Sequence, residues 1–263
     1  MKELTILLHQ YLPYLPWYLL VFIRIFTIIY LFPFLGGRNV PWQAKSGLAG
    51  MLSVILCPLF SPKVIPLNLW LIALGVTKEF LVGFTLGFIV RLIFDAIQLG
   101  GQFIGYQMGF AIVNVIDPYS SNQISIIAQF KSLLAILIFL TLNGHYILIA
   151  ALVKSFSLIP VATTWVIKGS LVQEILRLTG GIFAIAIKIS APVLVALLLT
   201  NIALGLIART MPQINVFIVG FPLEIGIGFF ILGASLPFLG WCYKYFFIQT
   251  FKELEIGLRL MGG

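Results

Sequence analysis

The chain has 263 residues, 61% of them hydrophobic and 9% charged, with a mean hydropathy of +1.12. Ordinary soluble domains carry about 25% charged residues, so a water-soluble globular fold is excluded and an integral membrane protein, or part of one, is indicated. The formal charge of +8 comes from 16 basic and 8 acidic residues spread singly, without the clustering that a nucleic-acid tract or a polybasic lipid patch requires.

Charge-free runs recur from Leu4 to Ile23, Ser132 to Val153, Ile189 to Ala208 and Ile225 to Tyr243. Each approaches the roughly 20 residues that cross a hydrocarbon core. The expected fold is all-α: membrane-type helical hairpins with kinked and broken helices. About six apolar segments are predicted, over Leu12 to Leu35, Gly47 to Phe60, Leu67 to Val90, Ile126 to Val153, Gly181 to Ile207 and Val216 to Leu239. A cleaved secretory signal is not expected, because Arg24 interrupts the first run and no small-residue cleavage pattern follows. The connectors "PFLGGRNVP" and "SPKVIPLN" separate the first three segments. The second segment is short for a full crossing, and the loop charges are too evenly divided to orient the chain.

Arg24, Lys78, Glu79, Lys131 and Lys188 lie inside apolar segments. A lipid-facing charge there costs on the order of 3 kcal/mol, so these residues are expected to face protein or a wet cavity: either Lys78, near a segment's start, snorkels and the rest pair with neighbouring helices, or the charges line a conduit.

Two stretches carry unusual polar content. In "DAIQLGGQFIGYQMGFAIVNVIDPYSSNQ", Gly101, Gly105 and Gly109 recur every four residues and predict a smooth seam for close helix packing, with Gln98 and Gln102 beside it. Pro118 disfavours helical geometry at Asp117, so the helix is expected to fail towards "NVIDPYSSNQ". Met108, Phe110, Ile112, Val113, Val115 and Ile116 form an apolar patch before that break. Plain helix packing and a hydrophobic constriction in a channel are both open readings.

The second stretch, "RTMPQIN", breaks an apolar run and precedes another, which predicts a helical hairpin with a polar tip at Arg209, Pro212, Gln213 and Asn215. Arg209 suits a helix C-terminus. Gly220 and Pro222 predict a kink in the second arm, and Glu224 follows within about one turn.

The sequence holds no phosphate loop, HExxH motif or Cys/His metal spacing; His9 and His145 are its only histidines, and Cys57 and Cys242 read as buried apolar residues. No cofactor and no enzymatic function are expected.

The stretches "GGQFIGYQMGFAIVNVIDP", "FLTLNGHYILIAALVKSF" and "ARTMPQINVFIVGFPLEIGIG" resemble the FliR family of flagellar biosynthesis proteins, the R subunit of the type III export gate, over essentially the whole chain. Pro212, Gln213, Asn215, Phe217, Gly220, Phe221, Pro222 and Leu223 match the family pattern most specifically. Gln107, Met108, Gly109, Asp117 and Pro118 give a second anchor, while Glu224 occupies a variable place.

The resemblance implies an assembly with P and Q gate subunits at the flagellar basal body in the bacterial inner membrane, near the A and B subunits and the basal-body ring. It also implies contact with membrane lipid and with unfolded flagellar substrates, and no nucleic acid. Residues 1–165 would form a P-like part with a plug loop near 106–122, and residues 166–263 a Q-like hairpin with its tip near 208–215, facing the cytoplasm and the B subunit. Such gates are drawn largely out of the bilayer plane, so hydropathy overstates the number of crossings. The plug would comprise Met108, Phe110, Ile112, Val113, Val115, Ile116, Asp117 and Pro118. The homologous injectisome T subunit is the nearest alternative. An ion-coupled secondary transporter is the alternative from another class, although no internal repeat supports it.

Overall fold

The computed structural model describes residues 12–33, 35–36, 40–60, 64, 66, 68–110, 125–161, 169–213 and 215–262. Among these every regular element is helical: α1 (Leu15–Leu31), α2 (Trp42–Leu56), α3 (Leu69–Gln107), α4 (Ile126–Thr141), α5 (Gly144–Leu158), α6 (Gly169–Thr210), α7 (Val216–Ala234) and α8 (Leu236–Gly262), with 3-10 turns at Leu12–Tyr14 and Cys57–Leu59.

The helix ends follow local chemistry. Pro16 lies in the first turn of α1, where its missing N–H costs nothing, and Phe32, which precedes Pro33, is already extended. Pro41 is extended before α2. Asn143 takes a φ of 54° between α4 and α5. The segment expected to run unbroken from Ile126 to Val153 is therefore two helices, because "NG" supplies the left-handed residue that stops the first. A second break at Ser235, ahead of Pro237 in the first turn of α8, bends α7 against α8 by 60°.

α3 has 39 residues and α6 has 42, both long and apolar enough to cross a membrane; among the described residues that makes two candidate crossings, or up to four if each bent pair counts as one. α3 continues through Arg91 and Asp95, where the sequence suggested separate segments. α7 runs through Gly220 and Pro222 as one helix.

The contacts divide the chain into two compact units that interleave in sequence. The first comprises 1–91, 144–178 and 249–263, and the second 92–143 and 179–248. In the first unit, α1 and the N-terminal part of α3 pack in parallel along small residues. A Cβ on Gly75 would lie 3.0 Å from Leu20, one on Gly83 would lie 2.6 Å from the Arg24 carbonyl, and one on Gly87 would lie 2.8 Å from Leu31. The second unit has an aromatic core in which Phe94, Phe139 and Phe247 meet with centroids 5.2–5.5 Å apart.

Candidate functional site

In the first unit, Arg24 and Glu79 are wholly buried, with Arg24 Nε donating to Glu79 Oε2 at 2.5 Å. Arg24 also donates to Ser155 Oγ at 3.1 Å and to the Ile159 carbonyl at 2.9 Å, and its guanidinium lies 4.3 Å from the Phe156 ring centroid. Lys78 Nζ sits 3.7 Å from Glu79 Oε1 and donates to the Pro160 carbonyl at 2.6 Å. Two cations and one carboxylate thus gather at the C-terminal end of α5. Carbonyls there lack intrahelical donors and carry the negative end of the helix dipole, which offsets the cluster's excess positive charge. Three of the charges found inside apolar segments are in this way a single structural clasp.

In the second unit Lys131 is also fully buried, and among the described residues neither its ammonium nor the Tyr243 hydroxyl has a hydrogen-bond partner. Lys188, by contrast, is exposed on α6.

The glycine positions separate into two roles. A Cβ on Gly101 would collide with the Ala128 backbone, and one on Gly105 with Ser125 Oγ, so both sit where α3 closely approaches the start of α4. Gly100 beside them meets α6, and Ser190 Oγ donates to its carbonyl at 2.8 Å. Gly109 instead has a φ of +82°. Its N–H bonds the Tyr106 carbonyl at 3.1 Å, while the Phe110 N–H bonds the Gly105 carbonyl at 3.0 Å. This pair of bonds around a left-handed glycine is a Schellman motif. α3 ends here by glycine capping, ahead of the Asp117–Pro118 break expected from the sequence.

Just before that cap, Met108 is fully buried against α7, and a Cβ on Gly228 would lie 2.7 Å from its side chain. The Phe221 ring would lie 2.8 Å from a Cβ on Gly109, and Phe110 meets Phe229 edge-on at 6.3 Å. Phe229 also lines an open apolar groove of about 260 Å³ with Ile126, Phe130, Leu232, Gly233 and Leu236. Of the eight residues assigned to a plug, Met108 and Phe110 lie here; Ile112, Val113, Val115, Ile116, Asp117 and Pro118 fall outside the described residues.

The turn between α6 and α7 is exposed at Arg209, Met211, Pro212, Gln213 and Asn215. The Met211 N–H closes α6 onto the Ile207 carbonyl at 2.8 Å, and the Asn215 carbonyl accepts from Ile218 at 3.0 Å to start α7. Pro212 therefore lies in the turn itself.

Two exposed ionic clusters lie in the first unit: Arg177 pairs with Glu174 and Glu253, and Glu255 pairs with Lys154 and Arg259. Among the described residues no three His, Cys, Asp or Glu side chains group in a way that would hold a metal ion.

Residues 15–250 match the family model described as "Bacterial export proteins, family 1". The chain is 37% identical over 250 residues to a flagellar biosynthetic protein FliR of Bacillus subtilis, covering 94% of this chain and 96% of the relative. It is 31% identical to the protein of that name in Escherichia coli, covering 93% and 94%, and 32% identical to that of Aquifex aeolicus, covering 90% and 92%.

Proposed function

The chain belongs to the bacterial export proteins, family 1, the family of the flagellar biosynthetic proteins FliR, and on that premise we propose that it helps form and seal the flagellar type III export gate. It is a membrane-embedded component of the flagellar export apparatus. Its role there is non-enzymatic: the helices build part of the conduit through which unfolded flagellar proteins leave the cell. P and Q gate subunits surround it at the basal body in the inner membrane, and the B subunit meets the tip formed by Arg209, Pro212, Gln213 and Asn215. Residues 1–165 act as the P-like part and 166–263 as the Q-like hairpin.

The observation that carries this reading is similarity to flagellar relatives along nearly the whole chain. It also favours the flagellar over the injectisome reading. The exposure of α6 agrees with a subunit built to be covered by others, since only 28% of its most apolar stretch is buried. Within the gate, the segment from Met108 to Pro118 closes the lumen by apolar side chains that exclude water and ions, with Gly101 and Gly105 fixing the helix that delivers it and Gly220 and Pro222 shaping the arm behind.

Co-expression with P and Q subunits, followed by purification through a tag on this chain and native mass spectrometry, tests the reading. A discrete complex retaining both partners is expected; a stable species of this chain alone would overturn it in favour of a transporter. In the assembled gate, replacing Phe110, Ile112 and Val113 by glycine is expected to raise ion leak, and unchanged leak would remove the plug assignment.

A further inference from the structure

The charges embedded in apolar helices do not share one fate. Arg24, Lys78, Glu79 and Lys131 are enclosed by the chain itself, whereas Lys188 is exposed and, among the described residues, makes no ion pair or hydrogen bond. It is the single charge between Arg177 and Arg209, within "IFAIAIKISAPVLVALLL". At 3.6 residues per turn, Ala184, Lys188, Val195, Leu199, Ile202 and Leu206 fall on one stripe, and all six are exposed. Pro192 has no N–H for the Lys188 carbonyl four residues back, so the same turn presents a cation and an acceptor that lacks its usual helical donor.

Lipid does not satisfy this stripe. A bare ammonium in hydrocarbon is costly. Raising Lys188 to the headgroups would leave Phe183, Ala184 and Ile187 exposed in water while carrying Asn201 to depth. Protein satisfies it: an adjoining helix covers the apolar positions, and a carboxylate opposite Lys188 removes the charge. Basic residues outnumber acidic ones 16 to 8, so the complementary acid is more naturally supplied from outside the chain. We propose that the stripe from Ala184 to Leu206 is a docking face for an apolar helix of another subunit that carries an Asp or Glu opposite Lys188. The inference rests on the reading of this chain as one subunit of an assembly and adds the chemistry of its neighbour.

The test places a photo-crosslinking residue at Val195 or Leu199 in the full chain, within cells making the native assembly, and identifies the adduct by mass spectrometry. The expected adduct is an apolar helix with an acid within two turns of the attachment point. Lys188→Arg retains most of the yield, Lys188→Met lowers it about tenfold, and Lys188→Glu abolishes it. Changing the partner's acid to Lys restores the yield of Lys188→Glu, which separates lost pairing from misfolding. Adducts with lipid alone, with a second copy of this chain or with a helix lacking an acid overturn the proposal, as does unchanged yield in Lys188→Met or failure of the charge swap. An acid-bearing helix from a protein outside the export apparatus would uphold the pairing while overturning the gate reading.

Discussion

Replacing Arg24 by methionine keeps much of the side-chain volume but leaves Glu79 as a buried carboxylate whose one remaining cation among the described residues is Lys78, at 3.7 Å. It also takes the donor from the Ile159 carbonyl and from Ser155 Oγ. Removing one partner of a buried pair costs about 3–5 kcal/mol, and an orphaned buried carbonyl adds about 1–3 kcal/mol. The remaining attraction between Lys78 and Glu79 offsets part of this, so a net loss of about 4 kcal/mol is expected. At roughly 2–4 °C per kcal/mol for a chain of this size, the melting temperature followed by circular dichroism in detergent should fall by about 10 °C. Pairing Arg24→Met with Glu79→Met removes the stranded carboxylate and should recover at least half of the loss, because the two positions share one interaction. A single-variant loss below about 1 kcal/mol, or simple additivity in the double variant, would refute the account of the clasp as a desolvated, mutually dependent pair.

Arg177→Ala offers the contrast: its guanidinium is 58% exposed, so the loss in the same melt should stay under about 1 kcal/mol. Gly101→Val pushes a branched side chain into the Ala128 backbone and should cost about 2–3 kcal/mol in apparent stability, while Gly181→Ala, whose Cβ meets nothing within 4 Å, should gain about 0.5–1 kcal/mol. Gly109→Ala should lose about 1–2 kcal/mol from the left-handed backbone alone, with Gly109→Asn losing less, as measured by the same thermal scan.

Composition alone exposed the membrane class and the helical fold, because an apolar excess of this size leaves few other solutions. The embedded charges were also legible as needing partners, and for Arg24, Lys78 and Glu79 the structure supplies them. What periodicity could not reveal was that all three converge on one helix end, since that depends on Ser155, Ile159 and Pro160 far along the chain. The breaks at Asn143 and Ser235 did have local signals, "NG" and a proline two residues on, but uninterrupted hydropathy masked them. Gly109 sat in register with Gly101 and Gly105, and only its φ distinguishes a cap from a packing position. The parallel seam of Gly75, Gly83 and Gly87 carries a weaker sequence signal, because its spacing of eight and then four is less regular.

The length of α6 bears on tilt. Its 42 residues extend about 63 Å at 1.5 Å per residue, against a hydrocarbon core of about 30 Å. Fitting the whole helix inside would need an inclination of about 60°, while transmembrane helices reach about 40° at most. Even at that limit the core accepts about 26 residues. Some 16 others must lie beyond the bilayer's edge, and the polar residues at the two ends of α6, Ser170, Gln173, Glu174 and Arg177 at one and Arg209 and Thr210 at the other, suit those ends to the aqueous side.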